Sequence, residues 1–246
     1  MAPTRSTRSL TRAATTMAES ALYDLLSWLS PGFPVGAFAH SNGLEWAIDA
    51  GWVTDRAALE AWLAILLEEG AGWNDAVLFT YAHRAVENED RGALHAVAEL
   101  AAAAHPSLER RIEALSQGAA FLRIARATAA APALSLLDDW PESELAYCVA
   151  VGTLAAGHGI DLVAALTAYL HGFVANLVSA AQRLVPLGQT DGQRAIAALK
   201  PAVARTVRRA AALPDDDPFR ALASATLRAD LASMLHETQY TRLFRT

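Results

Sequence analysis

The stretch Asp161–Val185, DLVAALTAYLHGFVANLVSAAQRLV, decides the fold. Leu162, Leu166, Tyr169, Leu170, Phe173 and Leu177 recur at intervals of three and four, the period of a helix with one buried face. Asp161 stands where an N-cap belongs, and Pro186-Leu187-Gly188 closes the segment with two helix breakers. β-branched residues do not alternate anywhere in it, so a strand reading has no support. The chemistry of a long, mostly apolar helix inside a large domain is that of a core element.

Working outward in both directions, the same pattern repeats. Upstream, Pro141 can open a helix that breaks at Gly157-His158-Gly159. Ser107 is placed to cap a helix through Leu108, Ile112, Leu115 and Leu122, and Asp90 precedes one carrying Leu94 and Val97 and stopping at His105-Pro106. The segment Asp75–Val86 carries Val77, Leu78 and Tyr81. Leu59, Trp62, Leu63, Leu66 and Leu67 form a stripe after Thr54, the expected cap, with Gly70 to Gly72 as its end. Near the start, Leu22, Leu25, Leu26 and Leu29 make a first stripe that Pro31-Gly32 stops. Downstream, a helix follows Asp191, with a bend expected at Pro201. The linker Pro214–Pro218 (PDDDP) then leads to a last helix from about Phe219. No fixed-period repeat is present. The pattern predicts an all-α protein, a single globular domain of roughly eight to ten helices.

Composition agrees and narrows the function. The 246 residues are 53% hydrophobic, ample for a large core, and the net charge of −6 excludes a sequence-independent nucleic-acid binder, which needs a basic face. No window approaches ~18 uninterrupted apolar residues, so no membrane partner is expected. Cys148 is the sole cysteine and lies in an apolar run, which excludes an intramolecular disulfide and thiolate clusters. Residues 1–18 carry Arg5, Arg8 and Arg12 without an acid and are expected to be a disordered leader; Met17 directly precedes the first organised segment. Residues 19–234 form the domain, residues 235–246 a C-terminal interaction tail. The expected compartment is the cytoplasm.

Catalytic motifs are missing. Gly32 and Gly36 lack the Lys-Ser/Thr of a phosphate-binding loop, and no G-x-S-x-G elbow exists. The histidines His40, His83, His95, His105, His158, His171 and His236 include no HExxH, and four residues after His236-Glu237 stands Tyr240. No cofactor and no metal site are expected, and the chain does not read as an enzyme. The alternative is a metallochaperone acting directly through histidines.

Three stretches are unusual. The loop Pro31–Ala39 (PGFPVGAFA) holds two prolines and two glycines yet carries Phe33, Val35 and Phe38, so it must pack on the body or on a partner. Asn42 followed by Glu45 fits a capping box, which makes Glu45 a helix-start carboxylate as readily as a contact residue. The tail His236–Thr246 (HETQYTRLFRT) mixes Tyr240, Leu243 and Phe244 with Arg242 and Arg245, the residue types of binding hot spots. If it continues the preceding helix, its apolar residues share one stripe. It either tucks into its own core or docks with a partner.

Leu29–Val53, Arg183–Gln189 (RLVPLGQ) and the tail resemble, in this order, the opening, central and terminal motifs of the urease accessory protein F family. The segment Ala168–Gln182 leads into the second as it does in that family. Ala37 stands where the family usually has glycine, His40 for an aromatic, Asn42 for glutamine and Arg183 for lysine. Ala37 suggests a position that needs no positive φ. The resemblance implies a non-catalytic protein that joins accessory proteins D (H in some species) and G on apo-urease. It further implies recruitment and regulation of the GTPase G, promotion of nickel insertion, and a homodimer.

Residue by residue, the resemblance implies a tail of His236, Glu237, Gln239, Tyr240, Arg242 and Phe244 that docks with the D protein. Tyr240 and Phe244 would be its anchors and Arg242 its directed charge. Glu45 would sit at a partner-facing helix start. Tyr169 and Arg183 would lie on a contact surface of the long helix, for the GTPase or the dimer mate.

Overall fold

The computed structural model describes residues 20–129 and 131–246; the expected leader falls outside them. Ten α-helices and four short 3-10 turns account for the regular structure, and no strand occurs among the described residues. The chain is all-α. The helices are α1 (residues 20–28), α2 (Leu44–Asp49), α3 (Arg56–Glu69), α4 (Ala71–Glu87), α5 (Arg91–Ala103), α6 (Leu108–Thr128), α7 (Tyr147–Gly157), α8 (Leu162–Leu184), α9 (Gln189–Ala211) and α10 (Leu227–His236).

Helices α4 and α7 are the innermost pair. α4 is buried on nearly every face, from Trp73 through Phe79 to Val86, and α7 is buried from Cys148 to Ala155. Gly152 permits their close approach, since a Cβ there would lie 2.9 Å from the Phe79 carbonyl oxygen. α3, α5, α8 and α9 surround α4, and α6 backs α7. Each fully buried Leu or Phe in this core contributes about 1.5–3 kcal/mol of transfer free energy.

Length and composition alone would let α8 cross a membrane. Its buried side, Leu166, Tyr169, Leu170, Val174, Leu177 and Val178, instead lies against α9, α4, α2 and α7, as a core helix does.

Local signals held where a cap is a purely local bond. The Asp90, Ser107 and Asp161 side chains accept from the backbone N–H groups of Ala93, Arg110 and Ala164. Others did not. Asp55, not Thr54, caps α3, its Oδ1 accepting from Ala58 N at 2.9 Å. Gly70 ends α3 as expected and leads straight into α4, which already contains Gly72. Pro141 begins only the 3-10 turn Glu142–Glu144, and α7 waits until Tyr147. The helix expected around Asp191 does contain Pro201, on its exposed face, where water can satisfy the carbonyl it orphans. Phe219 belongs to the 3-10 turn Pro218–Ala221; beyond it Ala223 N donates to Asn74 Oδ1 and Ala225 N to the Glu69 carbonyl, so α10 starts at Leu227. In α1, Leu25 and Trp28 enter the core while Leu22 and Leu26 stay exposed.

Candidate partner-docking site

The expected capping box at α2 does not form. Asn42 (φ 59°) and Gly43 (φ 74°) both adopt left-handed backbone, Gly43 offers no side chain to cap α2, and the Ser41 hydroxyl accepts the Glu45 N–H at 3.3 Å instead. Asparagine tolerates that region better than most residues, and Gly43 has a second reason to be glycine. A Cβ on Gly43 would fall 2.6 Å from the backbone nitrogen of Ser233, so α10 rests directly on this turn. Ala37, by contrast, needs no positive φ, as its side chain suggested.

Freed from capping, the Glu45 carboxylate holds the tail. Oε1 accepts the Leu243 N–H at 2.6 Å, and Oε2 accepts the Phe244 N–H at 2.9 Å. Oε2 also faces His236 Nε2 at 2.9 Å, while His236 Nδ1 faces Glu109 Oε2 at 2.6 Å. Both ring nitrogens therefore meet carboxylate oxygens, so the imidazole is held from both sides. Glu109 Oε1 in turn accepts from Arg242 at 2.8 Å. Glu45, Glu109 and His236 are all buried.

The last residues add a second row of bonds. Ser41 N donates to the Thr246 carbonyl at 2.6 Å and Arg245 N to the Ala39 carbonyl at 2.8 Å. The Thr246 hydroxyl lies 2.7 Å from His40 Nδ1 and 3.3 Å from Glu113 Oε2. Burial pushes the His40 imidazole below its ordinary range, with Glu113 opposing and Arg110 and Arg245 adding to the shift. Glu113 is ion-paired with Arg110, which also donates to the Asn42 side-chain oxygen at 2.7 and 3.0 Å. The Ser107 and Ser233 hydroxyls, 2.6 Å apart, tie the start of α6 to α10.

The tail thus does not extend α10. It leaves the helix at His236 and lies back over α2, the loop before it and the first turns of α6. Its side chains divide accordingly. Phe244 is 3% exposed and is covered by the Arg183 guanidinium, 4.3 Å from the ring centroid. Tyr240 is fully exposed, and Leu243, Leu235, Met234 and Leu231 are exposed as well. Glu237 faces solvent, Gln239 is half-buried, and Arg242 is partly exposed.

Tyr169 requires a correction. It does not lie on a contact surface but in the core, its hydroxyl donating to Asp75 Oδ2 at 2.8 Å beside the rings of Phe79 and Tyr147. Its position on α8 is one of the inward ones, and the half-buried carboxyl of Asp75 gives its hydroxyl the partner it needs there. The structure brings Glu45, His236, Arg242, Phe244 and Arg183 together; Tyr169 stands apart from them.

Sequence reasoning missed Glu109 and Glu113. The signal was present: Glu109, Glu113 and Gln117 follow one another at four-residue spacing, so one face of α6 carries polar groups at its buried positions. Among the described residues no three His, Cys, Asp or Glu side chains converge as a metal site.

A family model described as UreF matches residues 53–200, more than half of the chain. The chain belongs to the UreF family. It is 54% identical over 226 residues to a protein named urease accessory protein UreF from Rhodopseudomonas palustris strain HaA2, covering 92% of this chain and 94% of that protein. The like-named protein of Bradyrhizobium sp. strain BTAi1 is 52% identical, with 95% of each chain covered. That of R. palustris strain BisB18 is 52% identical over 241 residues, 98% of each chain. The family model spans α3 into α9, so it stops short of the tail and of the Glu45 turn that holds it.

Proposed function

We propose that this UreF-family chain serves urease maturation as a non-catalytic scaffold. It joins accessory proteins D (or H) and G on apo-urease, recruits and regulates the GTPase G, and so promotes nickel insertion, working in the cytoplasm as a homodimer. The relatives' shared name supports the maturation role. The observation that carries the docking role is the division of the tail: Glu45 grips its backbone while Tyr240 and Leu243 are turned to solvent.

Partner contact then falls on Tyr240, Leu243, Glu237 and the exposed side of α10. Glu45, His236, Arg242 and Phe244 act from beneath, by holding that surface in place. A pre-ordered surface has less entropy to lose on binding than a free tail. Arg183, with one face on Phe244 and the rest exposed, lies at the rim where the GTPase contact is expected. Tyr169 acts only by fixing α8.

The test is co-expression with the cognate D and G proteins, read by size-exclusion chromatography with light scattering. A stoichiometric complex that is lost in Tyr240→Ala/Leu243→Ala, with unchanged melting of the isolated chain, supports the reading. A complex indifferent to both substitutions removes the docking face. A chain that runs alone in every nucleotide and nickel condition removes the scaffold role itself.

A further inference from the structure

A cavity of about 360 Å³ lies between the loop Pro31–Phe38, α6, α7 and α8. That is within the range of small-molecule pockets. Phe33, Val35, Tyr147 and Phe173 line it together with the charged side chains Asp75, Arg110 and Glu113. The same Asp75 and Arg110 line a second cavity of about 230 Å³ on their other side.

The charges in the lining do not balance. Arg110 is ion-paired with Glu113 and also faces Asp75, so one cation stands against two carboxyl groups. Asp75 Oδ2 accepts the Tyr169 hydroxyl, a neutral donor, and Oδ1 accepts nothing from the described residues. A carboxyl with one uncommitted oxygen in the lining of an aromatic-walled cavity is the complement of an N–H-bearing cation, which aromatic faces also attract. An anion would meet Asp75 and Glu113 together, and a purely apolar guest would leave the carboxyl without a partner.

We propose that this cavity binds a free organic cation of side-chain size, an ammonium or amidinium whose N–H groups donate to Asp75 Oδ1 while its carbon body lies against the aromatic wall. The assignment is independent of the scaffold role. The groups that face Asp75 are Arg110 and Glu113 from α6, Tyr169 from α8 and Cys148 from α7; Tyr147 and His171 line the same cavity, and His105 and Asp230 the second. Burial raises the Cys148 thiol and the Tyr169 phenol well above their ordinary ranges, so both stay neutral near pH 7. Burial lowers His105 to about 4, so it is neutral there too. Asp75 itself is pushed up to about 6, chiefly by burial. A cation that needs its ionised form binds more weakly as pH falls through that value.

The experiment is calorimetric titration of the full chain with benzamidine and with its neutral isostere benzamide. Benzamidine binding is expected to be saturable, at least ten-fold tighter than benzamide, and about ten-fold weaker at pH 5 than at pH 7.5 by proton linkage. Asp75→Asn, which preserves an acceptor for Tyr169, is expected to abolish both the preference and the pH dependence. Equal binding of the two probes, no saturable benzamidine binding, or a preference that survives in Asp75→Asn overturns the proposal. The probe comparison and the pH series need only the wild-type chain and decide the matter even if the variant fails to fold.

Discussion

Glu45 and His236 are separated by 191 residues of sequence and by 2.9 Å in space. The contact joins the second helix to the last one and sets where the tail leaves α10. Because Glu109 takes the other ring nitrogen, His236 is clamped between two elements that do not otherwise meet through charge.

Glu45→Gln tests the grip on the tail. The amide retains one acceptor oxygen but places an NH2 against a donor that the second carboxylate oxygen had satisfied. Hydrogen bonds to charged groups are worth about 1.5–3 kcal/mol, so a loss of that order in urea unfolding is expected. Limited proteolysis should cut between Gln239 and Arg245 faster in the variant. An unchanged cleavage rate would show that the Glu45 bonds do not hold the tail.

Phe244→Ala removes a buried ring from beneath Arg183. Large-to-small changes of this kind cost about 3–5 kcal/mol in a rigid core. Here the tail can lift away instead, which should cap the global loss below that figure and show as hydrogen exchange confined to residues 237–246. Exchange spread through α4 and α7 would contradict that local picture.

Tyr240→Ala and Leu243→Ala should leave stability within about 0.5 kcal/mol of the parent, since both side chains face solvent. Binding of the D protein should fall at least ten-fold, because exposed aromatic anchors carry a disproportionate share of interface energy. Surface plasmon resonance on the isolated pair checks this directly.

Asp75→Asn should change how stability depends on pH. The folded-state value of about 6 lies above that of an unfolded aspartate, so the native state holds the proton more tightly. The parent is therefore expected to lose stability as pH rises from about 4 to about 6, by an amount of order 1–3 kcal/mol. The asparagine variant, with nothing to ionise, should lack this step and be the more stable of the two at pH 7. Denaturant midpoints measured between pH 4 and pH 7.5 show the sign.

Helix type and most of the core were legible because they depend on residues close in sequence. The three- and four-residue recurrence in Asp161–Val185 places Leu166, Leu170 and Leu177 inside, and the caps Asp90, Ser107 and Asp161 bond to groups three residues away. The misread starts have a common cause. At α2 and α10 the first turn is set by distant groups, Ser233 against Gly43 and Asn74 and Glu69 against Ala223 and Ala225.

The candidate site was half legible. The residues of the tail and Glu45 stood out by type, and the motif order supplied the family. Their sides did not: Phe244 and Tyr240 looked alike in sequence, yet one is sealed under Arg183 and the other is fully exposed. Tyr169 and Arg183 share a helix and face opposite surroundings.

Sequence by itself thus determined an all-α chain, its helix boundaries to within a turn at most places, and its membership of the UreF family. Only the tertiary structure decided that the tail folds back, that Glu109 and Glu113 lie beneath it, and that Asp75 lines a cavity. The reason is physical. A helix is written in bonds across three or four residues, whereas a carboxylate chooses its partners from whatever donors the packing of remote helices brings within about 3 Å.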